Sequence, residues 1–281
     1  MLQRIPEATL AFIGGSGTFS LNFPEDLNFS DVIVLQKNLV FDTPFGNSPP
    51  FKLFEIAGNK ILTMKMHGRQ RGVSWAKSSQ QVFWVLKQAG VKQIISEGGV
   101  GSVNHLLDLR DIVIPTDYID HSVRRNVHLT EDYLCIMRQP ICPYLHRVLL
   151  EQAQANPLNR VFSRGTYVVT DGRHFESPAE TNLYYQWGAD IVGQSLAPEV
   201  YLAREIGACY ASINLVVNYG EGIVKPWEHK ELKEIFFNDA LKFGQIILNA
   251  LREVDLSRDC SCRELRKPTL LREENIGTAR R

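Results

Sequence analysis

"LAFIGGSGTFS", residues 10–20, runs from four apolar residues into three glycines and a serine. Leu10 to Ile13 form a short apolar run bounded by a turn signal, the pattern of a buried strand. Glycine lacks the Cβ that would block close approach and tolerates φ > 0, so a strand entering such a turn can bring backbone N–H groups close to an anion. The dinucleotide fingerprint G-x-G-x-x-G fits only in part: Gly15 and Gly17 supply its first pair, and Ser20 stands where the third glycine belongs. The phosphate-loop pattern G-x-x-x-x-G-K-[ST] is absent. What remains is a short turn with the Ser16 hydroxyl at its tip, and a plain strand-to-coil loop would use the same residues.

Outward from that turn, β-rich runs recur in "KILTMKM", "KQIISEGG", "DIVIPTDYI", "GTYVVTDG", "ADIVGQS" and "CYASINLVVN". Segments of helical period separate several of them. "WAKSSQQVFWVLKQAG" places Trp75, Val82, Phe83 and Leu86 on one face and ends on a glycine suited to a C-cap. "SPAETNLYYQWG" offers Ser177 as N-cap and Pro178 at the first helical position. "APEVYLAREIG" follows a strand, and residues 227–252 read as one long final helix. Strands alternating with helices predict a single α/β domain, a central mixed, largely parallel sheet flanked by helices. The expected domain covers residues 1–255, with a polar, loosely held tail over 256–281.

The 281 residues are 44% hydrophobic and 22% charged, enough to bury a sizeable core. Lys+Arg and Asp+Glu both number 31, so no global basic field draws nucleic acid or an anionic membrane, and a local anion site stays open. No apolar stretch reaches the roughly 18 residues of a membrane span, and the first residues lack a signal peptide's apolar core. A cytoplasmic location is expected. Five cysteines, an odd number, argue against a secreted disulfide framework. Cys135, Cys142 and Cys209 lie in apolar surroundings and read as core or interface residues. Cys260 and Cys262 form a Cys-x-Cys pair in a polar stretch; it reads as a structural or redox-labile tail, because a metal site normally needs four ligands and no matching pair exists elsewhere in the sequence.

Ligands of open α/β sheets sit beyond the carboxyl ends of the strands. Those exits carry Ser16, "MHGRQR", "EGGVGS", "DGRHFES", "GQS" and "NYGEG". Gly, Ser and Asn are ordinary turn residues, but their company with His67, Arg69, Glu176 and Asn218 points to a pocket.

At these residues the chain resembles the purine nucleoside phosphorylase and methylthioadenosine phosphorylase family, including its trimeric members. The resemblance runs from about Ala11 to Leu251 through "IGGSG", "DTPFG", "HGRQ", "GVGS", "DIVIP", "DGRHFES", "WGADIVGQSLAPEVYLAREIG" and "CYASINLVVN". It implies phosphorolysis: inorganic phosphate attacks the ribose C1′ as the purine leaves, giving a sugar 1-phosphate and free base, with no metal or organic cofactor. The leaving base needs its developing negative charge stabilised, and the oxocarbenium-like C1′ must meet an oriented anion.

The resemblance implies a phosphate subsite from Ser16 with its neighbouring N–H groups, the Gly98–Gly99 backbone, Ser195, His67 and Arg69. Met66 stands where the methylthioadenosine enzymes have an arginine, so the cation falls to Arg69, which suits a bidentate contact with phosphate. An exposed, ion-paired arginine is the alternative. The nucleoside would meet Phe175, Glu176, Gln194, Asn218 and His229, with Asn218, Glu176 and His67 as the catalytic residues. Glu176 and Asn218 stand where the 6-oxopurine branch has its glutamate and asparagine, and Gly220 replaces an aspartate of the adenine-specific pattern. An amide can donate or accept, which suits the O6/N7 edge; a capping Glu176 and a turn Asn218 are the plainer readings. His229 falls where that branch meets the ribose 5′-hydroxyl.

Three positions depart from the family pattern: Glu97 brings a negative charge near the phosphate, Gly98 removes a polar side chain, and Gln194 replaces a methionine. They keep a nucleoside hydrolase, a phosphorylase for an unusual nucleoside and a non-catalytic purine-nucleoside-binding homologue open, with a methylthioadenosine phosphorylase as a further alternative. A homotrimer, or a dimer of trimers, is expected, with Tyr133 or Leu134 in "EDYLCIMRQPICP" reaching a neighbour's pocket.

Overall fold

The computed structural model describes residues 4–270 apart from Arg125, Arg173 and Asp259; residues 271–281 of the expected tail lie outside the described residues. In chain order the first half supplies β1 (Leu10–Ile13), β2 (Val32–Leu39), β3 (Asp42–Thr43), β4 (Gly46–Asn47), β5 (Phe51–Ile56), β6 (Asn59–Met64), α1 (Trp75–Ala89), β7 (Gln93–Ser102), β8 (Ile112–Val113), β9 (Asp117–Asp120) and β10 (Tyr133–Cys135). The second half adds α2 (Pro143–Ala155), β11 (Val161–Phe162), β12 (Thr166–Val169), α3 (Pro178–Gln186), β13 (Ile191–Gly193), α4 (Leu196–Ile206), β14 (Cys209–Tyr219), α5 (His229–Glu234), α6 (Ala240–Glu253) and β15 (Arg266–Pro268).

Eight strands form one continuous path, in the order β11-β8-β14-β7-β1-β6-β5-β2, and β13, β12 and β9 branch from the far end of β7. The central pairs β14–β7, β7–β1 and β1–β6 are parallel. β1, β14 and nearly all of β7 are buried, as strands covered on both faces must be. α1 packs on α4, and α2 on α6. Phe12, Phe54, Phe83 and Phe243 are fully buried between these layers. Among the described residues no helix is long and apolar enough to cross a membrane.

Helix signals in the sequence carry through at α1 and α3. Ser74 caps α1 by accepting from Lys77 N–H, and Gly90 closes it at φ 81°. Ser177 and Glu180 form a reciprocal capping box at α3, with Pro178 at its first turn.

Elsewhere the structure departs from the expectation. "DIVIPTDYI" is two strands, β8 and β9, because Pro115 between them has no N–H for a ladder. The expected 227–252 helix is α5 and α6 joined by a π-helical segment, Ile235–Asp239. β2, β5 and β6 form an antiparallel arm. The described part of the tail is held rather than loose: β15 pairs antiparallel with β10, Arg204 Nη1 donates to the Cys262 carbonyl at 2.6 Å, and Arg266 donates to the Glu205 carbonyl.

Candidate active site

β1 ends in the turn at 14–18, and β7 runs beside it carrying Glu97. That carboxylate is fully buried and turned into the turn. Its Oε1 accepts from Gly15 N–H at 2.5 Å, Thr18 N–H at 3.0 Å and Thr18 Oγ1 at 2.8 Å, and its Oε2 from Gly17 N–H at 3.1 Å. Burial raises the Glu97 pKa; hydrogen bonds from Thr18 and Gly15 and the nearby His67 offset only part of that rise. Two expectations are corrected here. The N–H groups of Gly15 and Gly17, expected to face phosphate, already serve Glu97. The Glu97 charge, in turn, sits behind the turn and not in the cleft lining. Packing is close enough that a Cβ on Gly15 would overlap the Glu97 carbonyl oxygen and lie 2.6 Å from His67 Nε2.

A cleft of about 210 Å³ opens above this turn. It brings together Ser16, His67, Arg69, Gly98, Gly99 and Ser195 with Phe175, Glu176, Gln194 and Asn218. The Gly99 N–H donates to Ser16 Oγ at 2.9 Å, so that amide too is engaged and the hydroxyl proton is left to point at a ligand. Ser195 precedes α4, with its Oγ 3.4 Å from the Tyr167 hydroxyl.

After β6 the backbone takes three successive left-handed residues, Met66, His67 and Gly68, at φ 50°, 53° and 72°. This turn drives His67 inward. Its Nδ1 lies 2.8 Å from Glu199 Oε1, while Ser96 Oγ and the Tyr210 hydroxyl each donate to Glu199 Oε2 at 2.9 Å. Burial alone would lower the His67 pKa, but the Glu199 and Glu97 carboxylates outweigh it and the net shift is upward. Protonated, His67 presents Nε2–H beside the turn. Arg69 is exposed, as in the alternative reading, yet it makes no ion pair among the described residues. Its guanidinium lies 4.9 Å from the Trp75 ring centroid, where stacking orients it over the cleft without neutralising it.

At the other end Glu176 is buried, and Thr170 Oγ1 donates to its Oε1 at 2.7 Å. Asn218, also buried, donates one N–H to the Tyr219 carbonyl at 3.0 Å, leaving its second N–H and its Oδ1 toward the cleft. Neither residue is a cap or a plain turn. Phe175 is half exposed at the mouth, its ring 4.6 Å from that of Trp227. Gln194 lines the wall with its amide over Gly172. His229, by contrast, is not brought into the lining: it is exposed at the start of α5, and the same region offers Leu232 and Phe236 instead.

Sequence reasoning missed Glu199, Trp75 and Phe236. Glu199 was the most legible, a single carboxylate among the apolar residues of "SLAPEVYLA", a pattern that places a charge on a buried helix face. Phe236 reaches the cleft from the π-helical segment, which periodicity cannot reveal.

A cleft at the strand exits, with hydroxyls and cations at one end and a buried carboxylate–amide pair at the other, is the architecture of an enzyme acting on a small polar substrate. The chain belongs to the phosphorylase superfamily, which it matches over residues 9–252. The S-methyl-5′-thioadenosine phosphorylase of Nitrosopumilus maritimus is 30% identical over 261 residues, covering 91% of this chain and 95% of the relative. The "Probable 6-oxopurine nucleoside phosphorylase" of Dictyoglomus turgidum is 31% identical over 269 residues, covering 92% and 96%. Among solved structures, methylthioadenosine phosphorylase from Schistosoma mansoni in complex with adenine shares the fold with a TM-score of 0.75 at 20% identity, covering 95% of this chain and 96% of that one.

Proposed function

We propose that this enzyme cleaves a purine nucleoside of 6-oxopurine type by phosphorolysis, releasing the free base and a pentose 1-phosphate. The observation that carries the reading is the meeting of the buried Glu176 and Asn218 side chains in one cleft. A 6-oxopurine donates N1–H to a carboxylate and offers O6 and N7 to an amide; adenine has no N1–H and presents an amino group instead. As the C1′–N9 bond breaks, the electron pair goes to the purine, and an Asn218 N–H at N7 or O6 would stabilise it. Phosphate would be held by the Ser16 and Ser195 hydroxyls, His67 Nε2–H and Arg69, with the Gly15 and Gly17 amides engaged elsewhere. No metal or organic cofactor enters this chemistry.

A second reading, a substrate with a 5′-methylthio group, has a specific observation behind it: Leu232 and Phe236 line the wall and His229 stays outside it. Relatives of both names support the two readings comparably. Methylthioinosine would satisfy both ends of the cleft. The test is a panel of inosine, guanosine, adenosine and their 5′-methylthio analogues, with and without phosphate, scored by liberated base. Release without phosphate would indicate a hydrolase, and no release a binding protein.

For the assembly we propose a ring of three copies working in the cytoplasm. The support is the open side of the cleft, where a groove past Arg69 and Trp75 continues to the fully exposed Val123, and the exposed Leu134 on β10.

A further inference from the structure

Four of the five cysteines meet at one point, although the chain delivers them from three separate places. Cys142 is the N-cap of α2, Cys209 opens β14, and Cys260 and Cys262 lie at the start of the turn before β15. Their sulfurs all lie within 4.8 Å of one another, with Cys142–Cys260 at 3.7 Å and Cys260–Cys262 at 3.2 Å. The second pair that the sequence did not show is Cys142 with Cys209, joined by the Cys142 N–H donating to the Tyr210 carbonyl at 2.8 Å. Cys135 stands apart, its sulfur on the Tyr201 carbonyl.

We propose that Cys142, Cys209, Cys260 and Cys262 form a mononuclear tetrathiolate site for a soft divalent ion, zinc before others. Tetrahedral zinc bonded to four sulfurs at about 2.3 Å holds them about 3.8 Å apart, so the observed spacings need only small side-chain rotations. A span of 4.8 Å encloses one ion and leaves no room for a cluster of several irons. Binding replaces four thiol protons: Zn²⁺ and four SH groups give a dianionic Zn(S)₄ centre and release four protons, with no change of oxidation state.

Charge around the cluster favours that dianion. Arg204 is buried and makes no ion pair among the described residues; its guanidinium is spent on the carbonyls of Cys262 and Gln139, each at 2.6 Å. A buried guanidinium without an ion-pair partner is costly, and an anionic centre on the cysteine whose carbonyl it already holds would supply a counter-charge. Cys142 also sits at a helix amino terminus, where thiolate is favoured. Cys260, partly exposed beside its more deeply buried partners, gives the ion a way in.

The test uses the full chain, purified under reducing conditions and desalted, with metal content measured directly. About one zinc per chain is expected, and cobalt(II) exchange should give strong sulfur-to-cobalt charge-transfer absorption with tetrahedral d–d bands. Adding zinc to metal-free protein should reduce the thiols open to a disulfide reagent from the five present to Cys135 alone. Cys260→Ser with Cys262→Ser should lose the ion, and Cys135→Ser should keep it. If the double variant fails to fold, the cobalt spectrum and thiol count of the unmutated chain still decide. Less than about 0.1 ion per chain with all thiols reduced, or a mass deficit of two hydrogens per bridge showing disulfides, would overturn the site.

Discussion

Arg69 is a cation above a cleft with no ion-pairing carboxylate beside it among the described residues, so its charge is available to an incoming anion. Arg69→Ala should lower kcat/KM for phosphate by about 10²–10³-fold, the scale for losing one preorganised charged donor, while Tm stays near that of the unmutated chain; phosphate saturation curves measure it. Asn218→Asp replaces an amide that can donate to O6 or N7 with an obligate acceptor. The inosine-to-adenosine ratio of kcat/KM should fall by roughly a hundredfold, and an unmoved ratio would mean that Asn218 does not read the base. The Glu199 and Glu97 carboxylates hold His67 above the ordinary histidine value of 6.5, against the opposing effect of burial. A raised folded-state pKa means that the His67–Glu199 pair stabilises the fold in full below pH 6.5 and loses that contribution as pH climbs through the raised value. The stability advantage over Glu199→Gln, read from denaturation midpoints, should therefore narrow with rising pH, from about 3–5 kcal/mol at its largest, and phosphate affinity should weaken over the same range. Ser16, Arg69, Glu176 and Asn218, which the cleft brings together, were legible from their company at the strand exits and from the family resemblance rather than from any one of them alone. The place of Glu97 was not, because its partners, the turn amides some eighty positions away, are visible only once β1 and β7 lie side by side.

Among the elements, the turn at 14–18 has exchanged one anion site for another: its amides bind a carboxylate belonging to the chain. Gly15→Ala would push a methyl group into the Glu97 carbonyl and His67, so the variant should lose about 3 kcal/mol or more, read as a fall in denaturation midpoint with phosphate affinity falling alongside. Glycine's role here was visible in the sequence, though the identity of the anion was not. The end of α1 and the start of α3 were legible through Gly90, Ser177 and Pro178, whose capping acts locally, whereas the Ser74 cap of α1 was not read from the sequence. The break in the last helix was not, because helical periodicity does not reveal the π-helical segment that carries Phe236 into the cleft.

For the whole molecule, a trimer should give about three times the chain mass by light scattering at micromolar concentration, and a monomer there would remove the shared-site expectation. The α/β class followed from strands alternating with helices, whereas the antiparallel arm did not, since β2 is largely exposed and shows little apolar alternation. Strand order also bears on how the chain is made. β14, residues 209–219, lies between β7 and β8 in the middle of the sheet, so during synthesis the open flank of β7 waits for a neighbour made more than a hundred residues later. At translation speeds of about 5–20 residues per second that interval is on the order of ten seconds. Until then the N–H and C=O groups of β7 that face β14 in the finished sheet lack that partner. The strand that ends the wait also delivers Asn218 to the cleft, so a chain cut short before residue 209 lacks both the central partner of β7 and that side chain.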